Sequence, residues 1–281
     1  MSIQLSQEQS EAALKGFNIP PRPVVLQELE QLLTKDSTTA RTVSERIARD
    51  VTLSGAVLKT VNSPLFQLRL PCSSVPQAVQ MLGMRNITSL VRALVLRQSM
   101  GAGSAQLRLE RFWDSAEMVA TLAAHVAGLL PRVVREDAYS FGLFRDVGIP
   151  MLMMRWPEYR QTLKDAAGDP RPLPELEEER HGTSHPVLGY LLARNWGLPE
   201  ALCDGIQRHH DLSAFNPGEQ VSGEALTLIA INHLAEHLHD NVRRMRSDGA
   251  WERSSGVVLE YLGISNDEYL DLADHVGELI A

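Results

Sequence analysis

The segment Asn86-Ile87-Thr88-Ser89-Leu90-Val91-Arg92-Ala93-Leu94-Val95-Leu96-Arg97 decides the fold class, because Ile87, Leu90, Val91, Leu94 and Val95 recur at steps of three and four. At 3.6 residues per turn these side chains share one face of a helix, whereas a half-buried strand would alternate. The pattern continues upstream. Val25, Leu26, Leu29, Leu32 and Leu33 predict a helix from Val24, and residues 42–50, 53–62 and 75–82 predict three short ones, with 86–100 after them. Downstream, 109–130 and 137–155 read as long apolar helices, the second kinked at Pro150. Helices follow over 185–196, 199–210, 223–245, 255–262 and 266–280. Aromatic residues are only 5% of the chain, which disfavours a sandwich or barrel, and the expected fold class is all-α.

The 281 residues are 44% hydrophobic and 22% charged, a globular composition long enough for one large or two medium domains. Small residues from Met100 to Ala105 interrupt the periodicity and mark a linker. We therefore expect two lobes: a helical bundle over 19–103 and a second helical lobe over 104–246. An N-terminal helical adaptor over 1–18, opened by Ser6 and Gln9 as a capping box, precedes them, and a helical extension over 247–281 follows. Val258, Leu259, Leu262, Tyr269, Leu270, Leu272 and Val276 make that extension amphipathic, fit to cap the core or to dock a partner.

The 35 acidic residues outweigh the 27 basic ones, giving a net charge of -8, and a phosphate backbone is not the default partner. Cys72 and Cys203 lie far apart and supply neither a disulfide framework nor a thiolate metal site. The polar N-terminus and the lack of any long apolar run predict a cytoplasmic protein that does not span a membrane.

Four signatures occur in order: Ile47-Ala48-Arg49-Asp50, Val61-Asn62-Ser63-Pro64-Leu65-Phe66, Ala78-Val79-Gln80-Met81-Leu82-Gly83, and Trp196-Gly197-Leu198-Pro199 followed by His209-His210. Together they resemble the HDOD family over about residues 19–238. The resemblance implies a bacterial, all-helical signal-transduction protein of two lobes, the second related to the HD phosphohydrolases. Those enzymes hold one or two metal ions on His and Asp side chains and activate water against a phosphoester.

Two ligand positions implied by that relationship are substituted. Phe112-Trp113-Asp114-Ser115-Ala116 carries Ser115 where relatives place a His-Ser pair. In Gly142-Leu143-Phe144-Arg145-Asp146-Val147-Gly148, Arg145 replaces the histidine of the eponymous His-Asp pair. A guanidinium stays protonated near neutrality and does not ligate a metal, so Arg145 should instead pair with Asp146. Asp146, His185, His209 and His210 remain as the candidate metal residues, a remnant able to hold at most a weakly bound divalent ion. Alternatively, the histidines survive as hydrogen-bonded core residues. His209-His210-Asp211-Leu212 lacks the Gly-Tyr-Pro signature of cyclic-dinucleotide phosphodiesterases. We expect no catalytic residues and no resident cofactor. The protein should act as a regulator, binding a protein signalling partner or a small signalling ligand, with a residual metal phosphohydrolase as the alternative.

Other patterns have plainer readings. His233-Leu234-Ala235-Glu236-His237 matches a zinc-protease spacing but reads as surface histidines. Residues 42–62 resemble a helix-turn-helix with Ser54 opening the second helix, yet Lys59 is its lone cation there, which argues against DNA binding. Arg85, Arg92 and Arg97, and the run Glu175, Glu177, Glu178, Glu179, read as solvated faces. Met151, Met153 and Met154 read as core filling.

Overall fold

A computed structural model describes residues 13–17, 19–63, 68, 70–100, 106–131, 133–244 and 249–280. Among them every regular element is a helix. The first five are α1 (Val24–Leu33), α2 (Ala40–Ala48), α3 (Val51–Val61), α4 (Val75–Leu82) and α5 (Met84–Met100). Then come α6 (Gln106–Leu129), α7 (Arg135–Phe144), α8 (Gly148–Arg155), α9 (Tyr159–Ala166), α10 (Leu173–His181), α11 (His185–Asn195) and α12 (Glu200–Arg208). A 3₁₀ turn at Leu212–Phe215 leads to α13 (Gly223–Arg244), α14 (Gly249–Leu262) and α15 (Asn266–Ile280). The predicted adaptor helix over residues 6–16 and the linker at 101–105 lie almost wholly outside the described residues.

The N-terminal lobe gathers around α5, whose Ile87, Leu90, Val91, Leu94 and Val95 are all buried, as their spacing requires. Short helices there are started by side chains that satisfy free amide groups. Thr39 and Thr42 form a reciprocal cap on α2, and Ser74 caps α4. Asp50, not Ser54, opens α3, accepting from the Leu53 amide at 2.9 Å. Arg92 is not on a solvated face. It is 8% exposed and pairs with Glu30 of α1 at 3.3 Å, tying two helices of the lobe together. Arg97 pairs with Asp114 and Glu117 of α6 across the lobe boundary.

One core runs through both lobes, from Leu26 and Ile47 to Val258 and Val276. Burial of Val258, Leu259, Leu272 and Val276 makes the C-terminal helices a cap on that core. In the second lobe α6 and α7 pack closely because Gly142 faces Ala120. A Cβ at Gly142 would lie 2.7 Å from the Ala120 Cα.

The helix expected over 137–155 is two helices, broken at Arg145–Val147 and not kinked at Pro150. Pro150 sits in the first turn of α8, where amide groups have no intrahelical acceptor, so it costs no ladder bond. The break has a packing cause. Gly148 abuts the backbone of His185, and a Cβ there would lie 2.2 Å from the His185 carbonyl oxygen. Of the methionines that follow, Met151 is core but Met154 is 48% exposed, so the cluster is only partly core filling.

These contacts predict opposite effects for two glycine substitutions. Gly142→Ala must push apart two backbones and should lose about 1–3 kcal/mol of stability. Gly55→Ala, at an exposed position of α3 with nothing within 4 Å, should gain about 0.5–1 kcal/mol. Urea unfolding followed by circular dichroism measures both.

Candidate metal centre

Four side chains from three places in the second lobe converge. Asp146 lies in the turn between α7 and α8, His185 opens α11, and His209 and His210 directly follow α12. One ligand atom from each lies within 4.8 Å of the others. Small residues make the approach possible: Gly148 admits the His185 backbone, and Gly189 of α11 sits against Val147 and the Arg145 carbonyl.

Glu177 holds His185 from behind. This fully buried carboxylate accepts from the His185 Nδ1 at 2.7 Å, from the His185 amide at 2.8 Å and from the Tyr159 hydroxyl. The Nδ1 contact therefore places a proton on Nδ1 and turns Nε2 inward, toward Asp146 Oδ1 at 3.5 Å. Glu177 is thus the residue of the acidic run that does not form a solvated face, while Glu178 and Glu179 remain exposed. Nothing in the spacing of the run separates Glu177 from its neighbours.

His209 is set in the same way. Its Nδ1 faces the Ile206 carbonyl oxygen at 2.8 Å, which can only accept, so Nδ1 carries the proton. Burial lowers the His209 pKa despite the opposing pull of Asp146, and the ring is neutral. Its Nε2 is consequently a bare lone pair, buried without a hydrogen-bond partner, 3.3 Å from Asp146 Oδ1. The third imidazole, His210, lies with its Nε2 3.0 Å from that of His185. Withdrawal from water, followed by the neighbouring His209 and His185, pushes the His210 pKa well below its ordinary value. The residue nevertheless retains exposed surface, which leaves the cluster open on that side.

Arg145 organises the opposite side of Asp146. Its guanidinium contacts Asp146 Oδ2 at 2.9 Å, Asn232 Oδ1 at 3.0 Å and Glu236 Oε1 at 2.7 Å, with the side chain only 5% exposed. Burial alone would lower the Arg145 pKa, but Asp146 and Glu236 raise it above its ordinary value. Burial likewise opposes ionisation of Asp146. The neighbouring Arg145 guanidinium overcomes that penalty and holds the carboxyl well below the usual range. The expected Arg145–Asp146 pair is therefore present, and Asn232 and Glu236 complete it.

Three inward acceptors, Asp146 Oδ1 and the Nε2 atoms of His185 and His209, face one another with one neutral imidazole to donate among them. A divalent cation would satisfy all three, and the donor set of imidazole and carboxylate suits such an ion. The residues fit a metal. Among the described residues Asp114 of the Ser115 segment lies outside the cluster and pairs instead with Arg97 at 3.1 Å.

The zinc-protease spacing does not assemble a second site, and its histidines are not on the surface. His233 bonds the His209 carbonyl oxygen at 2.9 Å, and burial followed by His209 brings its pKa down to about 4. His237 stacks on Trp251 at 4.4 Å and contacts the Tyr269 hydroxyl at 2.6 Å. Glu236, between them, serves Arg145.

An all-helical scaffold with an HD-type cluster of one Asp and three His defines the class. The chain belongs to the HDOD family, whose domain model matches residues 19–212. It is similar in fold to an HDOD domain protein of unknown function from Geobacter sulfurreducens, with 24% identity, 96% of each chain covered and a TM-score of 0.66. It is also 26% identical over 201 residues to an uncharacterized protein of Treponema pallidum (strain Nichols), a match taking in 69% of this chain and 38% of that protein. The chain thus spans well under half of that relative's length. Among the described residues no helix is long and apolar enough to cross a membrane.

If Glu177 orients His185 for a cation, Glu177→Gln should weaken Co²⁺ binding about 10–100-fold, as loss of a carboxylate behind a metal-binding imidazole does elsewhere. Glu179→Gln, on the exposed face beside Arg171, should leave it unchanged. Titration of the Co²⁺ visible absorption band reads both variants.

Proposed function

We propose that this chain is a regulatory protein that binds a partner or small ligand and does not hydrolyse phosphoesters. The observation that carries this reading is the buried Arg145 guanidinium held by Asp146, Asn232 and Glu236. A hydrolytic HD site needs its aspartate free for metal and its water free to attack. Here Arg145 claims Asp146 Oδ2, and a fixed positive charge stands where another cation or its bound water would collect. Asp146 and Glu236 offset the guanidinium charge, so a second ion is disfavoured chiefly because Arg145 is no ligand and occupies Asp146 Oδ2.

The remaining set, Asp146 Oδ1 with His185, His209 and His210, can hold one divalent ion. Such an ion, when bound, would supply Lewis acidity. What the chain's own residues do is hold it: Glu177 fixes His185, the Ile206 carbonyl fixes His209, and Arg145 keeps Asp146 ionised. In this reading Asp146, His185 and His209, holding an ion, would tie the turn at Asp146 to the start of α11 and the end of α12, a structural or sensory role.

The alternative, a reduced phosphohydrolase on the same four residues, draws support from the inward lone pairs and the open side at His210. The two readings part in one assay. Purified protein supplied with Mn²⁺, Mg²⁺ or Fe²⁺ and offered p-nitrophenyl phosphate, its diester and cyclic nucleotides should give no turnover above the metal-only background. Metal-dependent turnover that disappears in Asp146→Ala would overturn the regulatory reading.

A further inference from the structure

A groove of about 490 Å³ lies away from the metal centre, where the start of α7, the start of α13 and the end of α14 meet. Its volume falls in the range of small-molecule sites. Leu130, Val133, Val134, Leu228 and Leu262 supply apolar walls. Val134 and Tyr261 are unusually exposed for their type, at 42% and 37%, and so is neighbouring Leu129 at 56%. An apolar body can therefore enter without displacing a packed side chain.

The polar side chains of the groove share one property, that towards a ligand they accept, while the donors are the first-turn main-chain amides of Gly223 and Glu224. Thr227 donates its hydroxyl hydrogen to the Gly223 carbonyl oxygen at 2.7 Å, and Tyr261 donates its own to the same oxygen at 2.9 Å. Both hydroxyl oxygens are left with lone pairs. The other two polar side chains are the carboxyls of Asp137 and Glu224. Asp137 has one hydrogen bond, from Ser89 at 3.1 Å, and burial raises its pKa against the pull of that bond and of Arg92. Among the described residues the nearby cations make their ion pairs and hydrogen bonds elsewhere, although Arg92 also favours the ionised form of Asp137 through its charge. Arg92 is paired with Glu30 at 3.3 Å, and Arg135 lies over Gly128 and bonds its carbonyl oxygen at 3.4 Å.

We propose that this groove is a binding site for a small organic cation, an apolar body carrying an ammonium, amidinium or guanidinium whose hydrogens reach Asp137, Glu224 and the two hydroxyl oxygens. The ligand is complementary to these four side chains in charge and hydrogen-bond sense, and to the walls in its apolar part. Tyr261 and Leu262 lie beyond residues 19–212, so part of the site is built by sequence outside the matched family domain. The site does not depend on whether Arg145 blocks hydrolysis, and the two readings fail separately.

The test uses the full chain and three isosteric probes, benzamidinium, benzamide and benzoate, with phenylethylammonium as a second cation, followed by ligand-observed NMR and calorimetry. Both cations should bind saturably, and benzamidinium at least about tenfold more tightly than benzamide, in keeping with the greater strength of charge-assisted hydrogen bonds. Benzoate should not bind. Asp137→Asn and Glu224→Gln should each reduce the cation preference, with far-ultraviolet circular dichroism and Tm confirming that the variants fold. Arg132 adjoins the groove in sequence and lies outside the described residues, so Arg132→Ala is titrated as well and should keep the same preference. No binding of either cation, equal binding of benzamide, or a preference untouched by both carboxyl substitutions would overturn the site. A preference confined to Arg132→Ala would make the occupant this chain's own arginine and overturn the ligand equally.

Discussion

The carboxylate of Asp146 has two oxygens and two claimants, and the second lobe is arranged around that division. Oδ2 belongs to Arg145, and Oδ1 faces His185 and His209. A buried carboxylate without a cationic partner would protonate or unfold its surroundings. Arg145 supplies the partner, and Asn232 and Glu236 of α13 keep the guanidinium from being under-satisfied in turn. The ion pair thereby links the α7–α8 turn to the longest helix of the C-terminal half. The same pairing leaves one oxygen, not two, for a metal. An arginine beside the aspartate thus decides how much of that carboxylate the imidazoles face.

Opposite the ion pair, the histidines are positioned by groups that never face the cluster. Glu177 on α10 and the Ile206 carbonyl at the end of α12 each take an Nδ1 proton, so two Nε2 lone pairs point to one place before any ion arrives. Tyr159 on α9 in turn donates to Glu177, which extends the support to a fourth helix. Preorganisation of this kind lowers the ordering cost of binding and explains how the four residues come to share a fitted geometry. It also gives a physical reason for His185 to be wholly buried, because its ring is held on both sides.

The fold was readable because helix periodicity depends on residue type at fixed spacing. The buried face of α5 follows from Ile87, Leu90, Val91, Leu94 and Val95 with no further information. The break before Gly148 was not readable, since it arises from a close approach to His185, far away in sequence. Pro150 drew the kink to the wrong place. Asp146, His185, His209 and His210 came from the resemblance and are brought together by the structure. Glu177 was lost among four glutamates that composition cannot tell apart, and Arg92 among arginines of similar spacing. In both cases a buried charge became visible only with its partner, Tyr159 and His185 for the one and Glu30 for the other. Glu236 carried the opposite lesson: its protease-like spacing with His233 and His237 reflects three separate tasks on one helix.

The central claim is that Arg145 confines Asp146 to a single oxygen while the histidines stay poised around it. Counting Mn²⁺ or Co²⁺ ions bound per chain at saturation, by equilibrium dialysis with elemental analysis, tests this most directly. The account predicts one ion, lost in His185→Ala; two ions per chain, or none after full supplementation, would contradict it.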